Sequence, residues 1–187
     1  AVVPVENSLE GSVNETYDLL LSTDLKVQGE LKLRIQHSLI ARPEIKISKI
    51  RTVYSHPQAL AQCRKYLRNL GVTLVATYDT AGSVKIIREK KSNGIAAIAS
   101  IRAASIYGMN VLKEGIEDNS SNYTRFFILA FEDVPQTGND KTSIVFSAKH
   151  DPGALFAVLK EFADKEINLT KIESRPTRKK PWEYNFY

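Results

Sequence analysis

Apolar residues recur along the chain with two spacings, and together these predict a mixed α/β protein. Apolar positions three and four residues apart predict helices over about residues 12–22, 57–70, 80–90, 102–107 and 154–165. Alternating or continuous apolar runs predict strands over about residues 2–5, 26–30, 31–40, 51–54, 72–76, 94–99, 123–131, 142–148, 168–174 and 184–187. Because strands and helices alternate through most of the chain, we expect an α/β fold.

Two stretches give the strongest local signals. Ser55 is suited to a helix N-cap, Pro57 to the first turn and Gln58 to the third helical position. An apolar face follows, and Gly71 supplies the C-terminal stop. Residues 94–99 form an apolar run without polar alternation, which is typical of a strand covered on both faces.

A polar, turn-rich stretch at residues 133–140 divides the chain into two parts. Beyond it the predicted order is strand, helix, strand and strand, which matches the front of a ferredoxin-like βαββαβ unit. The last helix and strand of such a unit do not follow before residue 187. We therefore expect a larger α/β domain, a linker over residues 135–141 and an incomplete α+β domain over residues 142–187.

The composition is that of a globular protein. Of the 187 residues, 43% are hydrophobic and 25% are charged, which excludes a disordered or collagen-like chain. The single cysteine, Cys63, can form no disulfide within the chain, as is typical of a reducing compartment. The longest apolar run, residues 94–101, is of strand length, so we expect no membrane partner.

The formal net charge of +5 is spread along the chain. One dense basic group, Arg175 with residues 178–180, lies near the C-terminal end, and such a group is usually a solvated turn. Lys and Arg are not interleaved with aromatic residues in a stripe. We therefore expect no nucleic-acid partner.

Polar side chains cluster at three turns that are predicted to follow strands and precede helices. These turns are Glu6–Ser8, Ser55–Gln58 and Thr80–Ser83. A helix N-terminus presents unpaired N–H groups and a partial positive charge, and therefore binds carboxylates. We expect the three turns to lie at the carboxyl ends of parallel strands, where α/β proteins bind ligands. The alternative that each turn only caps its helix stays open.

Two further groups are candidates for chemistry. His56 could serve as a neutral donor at the helix start, or as an acid or base. Asn122, Thr124 and Arg125 begin a very apolar strand, which indicates a site, with a plain strand edge as the alternative. The histidines lack the spacing of metal ligands and Cys63 stands alone, so we expect no metal.

Five motifs, in order along the chain, resemble those of the prephenate dehydratase family. Three lie in the first part: Val3–Ser8 (V-P-V-E-N-S), Ser55–Leu60 (S-H-P-Q-A-L) and Asn122–Phe126 (N-Y-T-R-F). Gly153–Phe156 (G-A-L-F) and Glu173–Pro176 (E-S-R-P) resemble the phenylalanine-sensing motifs of the regulatory ACT domain in that family. The family has a further segment before the first motif, with a Gly-x-x-Gly-Thr loop, and ACT residues past the last. We therefore expect the sequence to be the interior of a longer enzyme.

The resemblance implies a lyase that converts prephenate to phenylpyruvate in phenylalanine biosynthesis, without a cofactor. The ring loses CO2 and its hydroxyl group, so the catalyst needs donors for two carboxylates and one for the leaving hydroxyl. The implied catalytic residues are Thr124, which would act on the hydroxyl, Arg125 and Phe126. The implied substrate-binding residues are Glu6, Asn7, Ser8, Ser55, His56, Gln58, Thr80 and Asn122, of which Glu6 would orient a neighbouring donor or shuttle a proton.

The resemblance also implies a two-lobed catalytic domain over residues 1–134, of the type II periplasmic-binding-protein-like architecture. One lobe would combine about residues 1–25 with 115–134, and the other would cover about 26–114, with the substrate in a cleft. A ferredoxin-like ACT domain over the remaining residues would bind phenylalanine as a feedback inhibitor. The implied effector residues are Gly153, Ala154, Leu155, Phe156, Glu173, Ser174, Arg175 and Pro176.

The implied assembly is a homodimer or a homotetramer in the cytoplasm, or in the plastid if the source is a plant. Two other functions stay open. Arogenate, the transaminated relative of prephenate, is the alternative substrate. A non-catalytic amino-acid-binding protein on the same scaffold is the alternative class, although such a binder needs no hydroxyl aimed at a leaving group.

Overall fold

The computed structural model describes the whole chain except residues 91 and 179. The described residues form two compact units. The first unit is Ala1–Lys32 with Arg125–Tyr187, and the second unit is Leu33–Thr124. Within the described residues, no helix combines the length and the apolar character needed to cross a membrane.

Helices and strands alternate as the sequence predicts, and the α/β fold class is confirmed. The described helices are α1 (Asn14–Leu21), α2 (Pro57–Gln62), α3 (Arg64–Leu70), α4 (Thr80–Lys90), α5 (Ile101–Tyr107) and α6 (Ala154–Asp164), with a 3-10 turn at Ile47–Lys49. The described strands are β1 (Val2–Asn7), β2 (Gly11–Ser12), β3 (Lys26–Arg34), β4 (Ser38–Ala41), β5 (Thr52–Ser55), β6 (Thr73–Ala76), β7 (Ile95–Ala99), β8 (Asn110–Lys113), β9 (Tyr123–Ala130), β10 (Phe146–Ser147), β11 (Ser174–Pro176) and β12 (Tyr184–Phe186).

The second unit is built around a five-stranded sheet in the order β6-β5-β7-β4-β8. Strand β5 runs parallel to both β6 and β7, whereas β4 runs antiparallel to β7 and β8. The carboxyl ends of the three parallel strands therefore share one edge, and helices α2, α4 and α5 begin there.

Strand β7 is covered on both faces, which confirms the interpretation of its apolar run. Every one of its residues is buried. One face packs against α2 and α3 in a cluster that includes Leu39, Leu67 and Ile98. The other face packs against α4 in a cluster that includes Ile40 and Ile87. Each such fully buried side chain contributes about 1.5–3 kcal/mol relative to an exposed one.

The described residues of the first unit form two sheets. One has the order β2-β1-β9-β3, and the other has the order β10-β12-β11 with antiparallel neighbours. The rings of Phe146 and Phe186 stack across β10 and β12, with centroids 5.4 Å apart. No residue of α6 is buried.

The predicted helix over residues 57–70 is broken at Cys63, whose φ of −114° and ψ of 22° are not helical. Beyond the break, the backbone N–H of Lys65 lies 3.1 and 3.2 Å from the carboxylate oxygens of Asp118. Asp118 thereby caps the start of α3. Hydrophobic spacing missed the break because Cys63 and Leu67 lie in the same apolar cluster on either side of it.

Several strand predictions have wrong bounds. Residues 26–40 form two strands with a break before Ser38, because the N–H of His37 donates to the Glu117 carboxylate at 3.0 Å and not to a strand. Residues 168–173 are not a strand, and of residues 142–148 only the last part pairs. Strand β8, which pairs with β4, was not predicted.

Candidate functional site

The turn at Glu6–Ser8 joins two strands, so the prediction that it leads into a helix is wrong. Strands β1 and β2 form an antiparallel hairpin in which Glu6 is paired with Ser12. The side-chain oxygen of Asn7 accepts the backbone N–H groups of Leu9 and Glu10 at 3.0 and 3.1 Å. Asn7 therefore shapes the turn with its oxygen, and its amide nitrogen is its donor end.

Arg125 lies between two carboxylates on neighbouring strands. Its Nη1 is 3.5 Å from Oε2 of Glu6 on β1, and its Nε is 3.7 Å from Oε2 of Glu30 on β3. Lys141 also pairs with Glu30, and that hydrogen bond is the main cause of a lowered pKa of the Glu30 carboxyl. The charge of Arg125, whose side chain is 20% exposed, is thus already balanced by protein carboxylates.

Lys171 is a functional candidate that the sequence did not indicate. Its ammonium group lies 3.2 Å from Glu6, 2.7 Å from the Ser12 hydroxyl and 3.6 Å from Glu173. The Ser12 hydroxyl donates to Glu173 at 2.7 Å. A continuous set of polar contacts therefore joins Glu173 of the E-S-R-P motif, through Lys171 and Glu6, to Arg125 of the T-R-F strand.

Asp18 on helix α1 holds two arginines of the basic group. Arg175 donates through Nε and Nη2 to the two carboxylate oxygens of Asp18 at 3.2 and 2.9 Å, and Arg178 donates at 2.8 Å. The hydrogen bond from Arg175 is the main cause of a lowered pKa of Asp18.

The expectation that this basic group is a solvated turn is therefore wrong for Arg175, whose side chain is 17% exposed. Lys180 pairs with Glu183 at 3.4 Å, and residue 179 lies outside the described residues.

The residues of the T-R-F motif project from different faces of β9. Alternate residues of a strand point to opposite faces, so Thr124 and Phe126 share one face and Arg125 points to the other. All three are half-buried. Thr124 and Arg125 are thus adjacent in sequence, but their side chains lie on opposite faces of β9.

Asn122 lies in a buried polar cluster with His37 and Gln62. The Asn122 side chain has no exposed surface, and its amide nitrogen donates to Oε1 of Gln62 at 3.0 Å. Nε2 of His37 is 2.9 Å from the same oxygen, and because an amide oxygen only accepts, this nitrogen carries a proton. The burial of Asn122 favours a role in holding the start of β9, two residues before Thr124.

Two of the predicted polar turns follow the parallel neighbours β5 and β6 at the same sheet edge. Ser55 is fully buried and donates to the carbonyl of Ile98 at 2.8 Å, so it is not the helix cap that was predicted. His56 caps α2 instead, since its Nδ1 accepts the backbone N–H of Gln58 at 3.2 Å. A neutral His56 therefore has its proton on Nε2.

Helix α4 begins with a carboxylate of its own. Asp79 accepts the backbone N–H of Gly82, and the Ser83 hydroxyl donates to the Asp79 carbonyl at 2.7 Å. Asp79 therefore caps this helix, and Thr80 is its half-buried first residue. Because Asp79 already opposes the partial positive charge of this helix end, a second carboxylate binds there less favourably than predicted.

The two phenylalanine-motif segments lie in the first unit. Gly153, with φ of 83°, precedes α6, and Ala154–Phe156 form the first residues of that helix. Glu173–Pro176 lead into and form β11. A cavity of about 700 Å³ lies against this region, with Leu155 and Trp182 in its lining.

Within the described ranges, no group of three or more His, Cys, Asp or Glu side chains is placed to hold a metal ion. Burial raises the pKa of Cys63 to about 12 and leaves it no exposed surface. A thiol in that state is a poor nucleophile.

Two family models match the chain. The model described as "Prephenate dehydratase" matches residues 1–134, and the model described as "ACT domain" matches residues 142–187. Arogenate dehydratase/prephenate dehydratase 2 (chloroplastic) of Arabidopsis thaliana is 50% identical over 97% of this chain and 48% of its own length. Prephenate dehydratase of Methanocaldococcus jannaschii is 50% identical over all of this chain and 69% of its own length.

Solved structures show the same likeness. The prephenate dehydratase of Arthrobacter aurescens in complex with L-Phe has a TM-score of 0.82 at 33% identity, covering 100% of this chain and 63% of that one. GqqA, described as a novel type of quorum-quenching acylase, has a TM-score of 0.85 at 31% identity, covering 100% and 68%.

The chain spans about half the length of the plant relative and about two thirds of the archaeal one. The first family model covers most of the chain, and the second covers the part beyond residue 141. With 50% identity to an archaeal dehydratase over its whole length, the chain belongs to the prephenate dehydratase family.

Proposed function

We propose that this protein is a prephenate dehydratase regulated by phenylalanine. The observation that carries the proposal is the 50% identity to proteins named prephenate or arogenate dehydratase, together with the T-R-F motif on β9. We assign residues 1–134 to catalysis, 135–141 to a linker and 142–187 to regulation. Acylase activity, suggested by the likeness to GqqA at 31% identity, is less well supported than dehydratase activity.

The reaction needs one proton and no oxidant. The bond between the ring and its carboxylate breaks and releases CO2, and its electron pair enters the ring. The carbon–oxygen bond of the ring hydroxyl breaks, and the departing oxygen takes a proton to leave as water. Aromatisation drives the reaction, so the protein has to hold two carboxylates and stabilise the departing oxygen.

Thr124 is our candidate for the group that stabilises the departing oxygen. A threonine hydroxyl is far too weak an acid to give up its proton outright, so Thr124 would donate a hydrogen bond that orients and polarises the leaving group. Phe126, which shares its face of β9, would supply apolar surface for the ring. Asn122 would keep this end of β9 in place through Gln62.

The donors for the substrate's carboxylate and keto groups are our second assignment. The candidates at the β5–β6 edge are Nε2 of His56, the amide of Gln58 and the hydroxyl of Thr80, with Ser55 holding the β5 edge from within the core. The amide nitrogen of Asn7 and the Ser8 hydroxyl are separate candidates, at the turn after β1.

We assign Arg125 and Glu6 to positioning the neighbouring turn and not to binding the substrate directly. Because Arg125 is paired with Glu6 and Glu30 on the face opposite Thr124, we assign it to holding Glu6 and the neighbouring turn in position. Lys171 completes that arrangement from the regulatory part of the chain.

Phenylalanine is our proposed effector, since a relative in the same family was solved with L-Phe and this chain carries a matching ACT domain. The effector residues are the two motif segments, Gly153–Phe156 and Glu173–Pro176. A homodimer or homotetramer is our proposed assembly. Arogenate dehydratase activity is the alternative, because the plant relative carries both activities in its name.

The decisive experiment follows product formation from prephenate and from arogenate by the full-length protein, with and without phenylalanine. We expect phenylpyruvate from prephenate, and Thr124→Val to lower kcat by about 10²–10³ while KM changes little, because the lost hydrogen bond acts on the leaving group. Thr73→Val, at an exposed position on β6, is the matched control and should leave kcat unchanged. An unaffected kcat in Thr124→Val would contradict the assignment, and binding of phenylalanine without turnover of either substrate would favour an amino-acid-binding protein.

A further inference from the structure

The guanidinium of Arg175 in the E-S-R-P segment is already bound to a carboxylate of this chain. Asp18 on α1 accepts from both Nε and Nη2, at 3.2 and 2.9 Å. The side chains of Asp18 and Arg175 are 28% and 17% exposed, so the pair is shielded in part from water. A pair of this two-pronged form is among the stronger ion pairs, because both N–H donors are aligned with both oxygens.

Under the proposed function, Arg175 belongs to the segment that binds phenylalanine. An amino-acid effector carries a carboxylate, and a guanidinium is the side chain best suited to bind it by two parallel hydrogen bonds. Asp18 fills the Nε–Nη2 edge, which is one of the two edges through which a guanidinium can make those bonds. The effector carboxylate and the Asp18 carboxylate cannot both occupy that edge.

We propose that Asp18 is an internal competitor for the effector carboxylate, and that effector binding exchanges the Asp18–Arg175 pair for an effector–Arg175 pair. Asp18 keeps a charged partner after the exchange, because Arg178, which is 73% exposed, already donates to it at 2.8 Å. The inference rests on the proposed function for the identity of the effector.

The exchange couples the regulatory segment to the candidate substrate site through α1. Helix α1 (Asn14–Leu21) follows the β1–β2 hairpin directly, and that hairpin carries Glu6 and the Asn7 turn. After the exchange Asp18 is held by Arg178 alone and no longer by both arginines, so the state with the Asp18–Arg175 pair and the state without it hold the hairpin differently. By linkage, whatever stabilises the Asp18–Arg175 pair weakens effector binding by the same factor.

The test measures binding of L-phenylalanine to the full-length protein by calorimetry, which needs no turnover. Asp18→Asn removes the competing charge and should tighten binding about two- to fivefold, the range expected for a partly exposed ion pair. Asp18→Glu keeps the charge and should bind nearly as the unaltered protein does. Glu15→Gln removes a carboxylate from the same helix and should change the Kd less than twofold.

Phenethylamine, which lacks the carboxylate, separates exchange from a general effect of charge. Its binding should be equal in the unaltered protein and in Asp18→Asn, or undetectable in both. Tightening of phenethylamine in Asp18→Asn, or unchanged or weaker phenylalanine binding in a variant with an unaltered melting temperature, overturns the exchange. Failure of the unaltered protein to bind phenylalanine overturns the effector assignment itself, and an absence of dehydratase turnover with the expected binding changes affects only the catalytic proposal.

Discussion

Residues 33–124 and residues 142–187 both combine strands with a helix or helices, yet different forces hold them. The sheet of residues 33–124 is covered on both faces, and every residue of β7 is buried. In residues 142–187 no residue of α6 is buried, and Phe156 is 69% exposed. The contacts of this region with strand β1 and helix α1 of the first unit include the ion pairs of Lys171 and Arg175, together with an edge-to-face contact between the rings of Tyr17 and Tyr187 at 5.3 Å.

This difference indicates how each region responds to its surroundings. Burial of apolar surface is little affected by pH or salt, whereas ion pairs with exposed edges weaken when a carboxyl is protonated or salt is added. Segments that take part in regulation belong to the less stable part of a fold, because they have to change their contacts. We therefore expect the polar contacts of residues 142–187 to weaken at low pH and high salt, and the buried sheet of residues 33–124 to respond less to either.

The largest effect should come from a cavity in the buried sheet of residues 33–124. Ile98→Ala removes a fully buried side chain from the centre of the sheet and should lower the free energy of unfolding by about 3–4 kcal/mol. Leu159→Ala on half-buried α6 should cost about 1 kcal/mol or less. Urea unfolding followed by far-ultraviolet circular dichroism measures both.

Cys63 provides an independent readout of the same comparison. Because the thiol is buried and its pKa is raised to about 12, it should react with a thiol reagent only when the second unit opens. Ile98→Ala should therefore speed the labelling and Leu159→Ala should leave it unchanged. Equal labelling rates in the two variants would contradict the contrast between the two regions.

A smaller effect is expected from two glycines with the same backbone conformation. Gly94 has φ of +85°, and a Cβ there would lie 2.9 Å from the carbonyl oxygen of Lys49, whereas Gly138, with φ of +84°, has nothing within 4 Å. Gly94→Ala should cost about 2–3 kcal/mol, from the strained φ and the clash together, and Gly138→Ala about 1 kcal/mol from the φ alone. The melting temperatures of the two variants measure the difference, and equal values would show that the backbone near Gly94 yields easily.

The smallest effect concerns the polar contacts of Asp18. The hydrogen bond from Arg175 lowers the pKa of Asp18 in the folded protein, so its stabilising contribution is present above its unfolded pKa near 3.8 and is lost as pH falls through the lower folded value. The melting temperature of the unaltered protein should therefore exceed that of Asp18→Asn at pH 7, and the two should converge below about pH 4. Fluorescence of Trp182, the single tryptophan, follows this region. A gap that stays constant down to pH 2.5 would contradict the ion pair.

Local patterns predicted most of the elements because each depends on neighbours in sequence. The apolar run of β7, the C-terminal stop at Gly71 and the start of α6 after Gly153 were all predictable on that ground. The break at Cys63 was not, since the cap that creates it comes from Asp118, more than fifty residues away. The hairpin after β1 was not predicted, because it depends on the pairing of Gly11 with Asn7 and of Ser12 with Glu6 across the turn.

The candidate site likewise has features that the sequence predicted and features that only the structure showed. The motifs that resemble the dehydratase family, and the residues within them, are a property of the sequence alone, because they depend on residue type and order. That Thr124 and Arg125 face opposite ways follows from strand geometry once β9 is known.

Only the tertiary structure decided which side chains contact these residues. Lys171 is charged and unremarkable in the sequence, and it becomes part of the site because folding brings Glu6, Ser12 and Glu173 around it. Asp18 meets Arg175 across more than 150 residues of chain. An ion pair depends on the distance between two charges in space, which no spacing along the sequence reports. The sequence therefore determined the family and the chemistry available. The fold determined which charges are already paired.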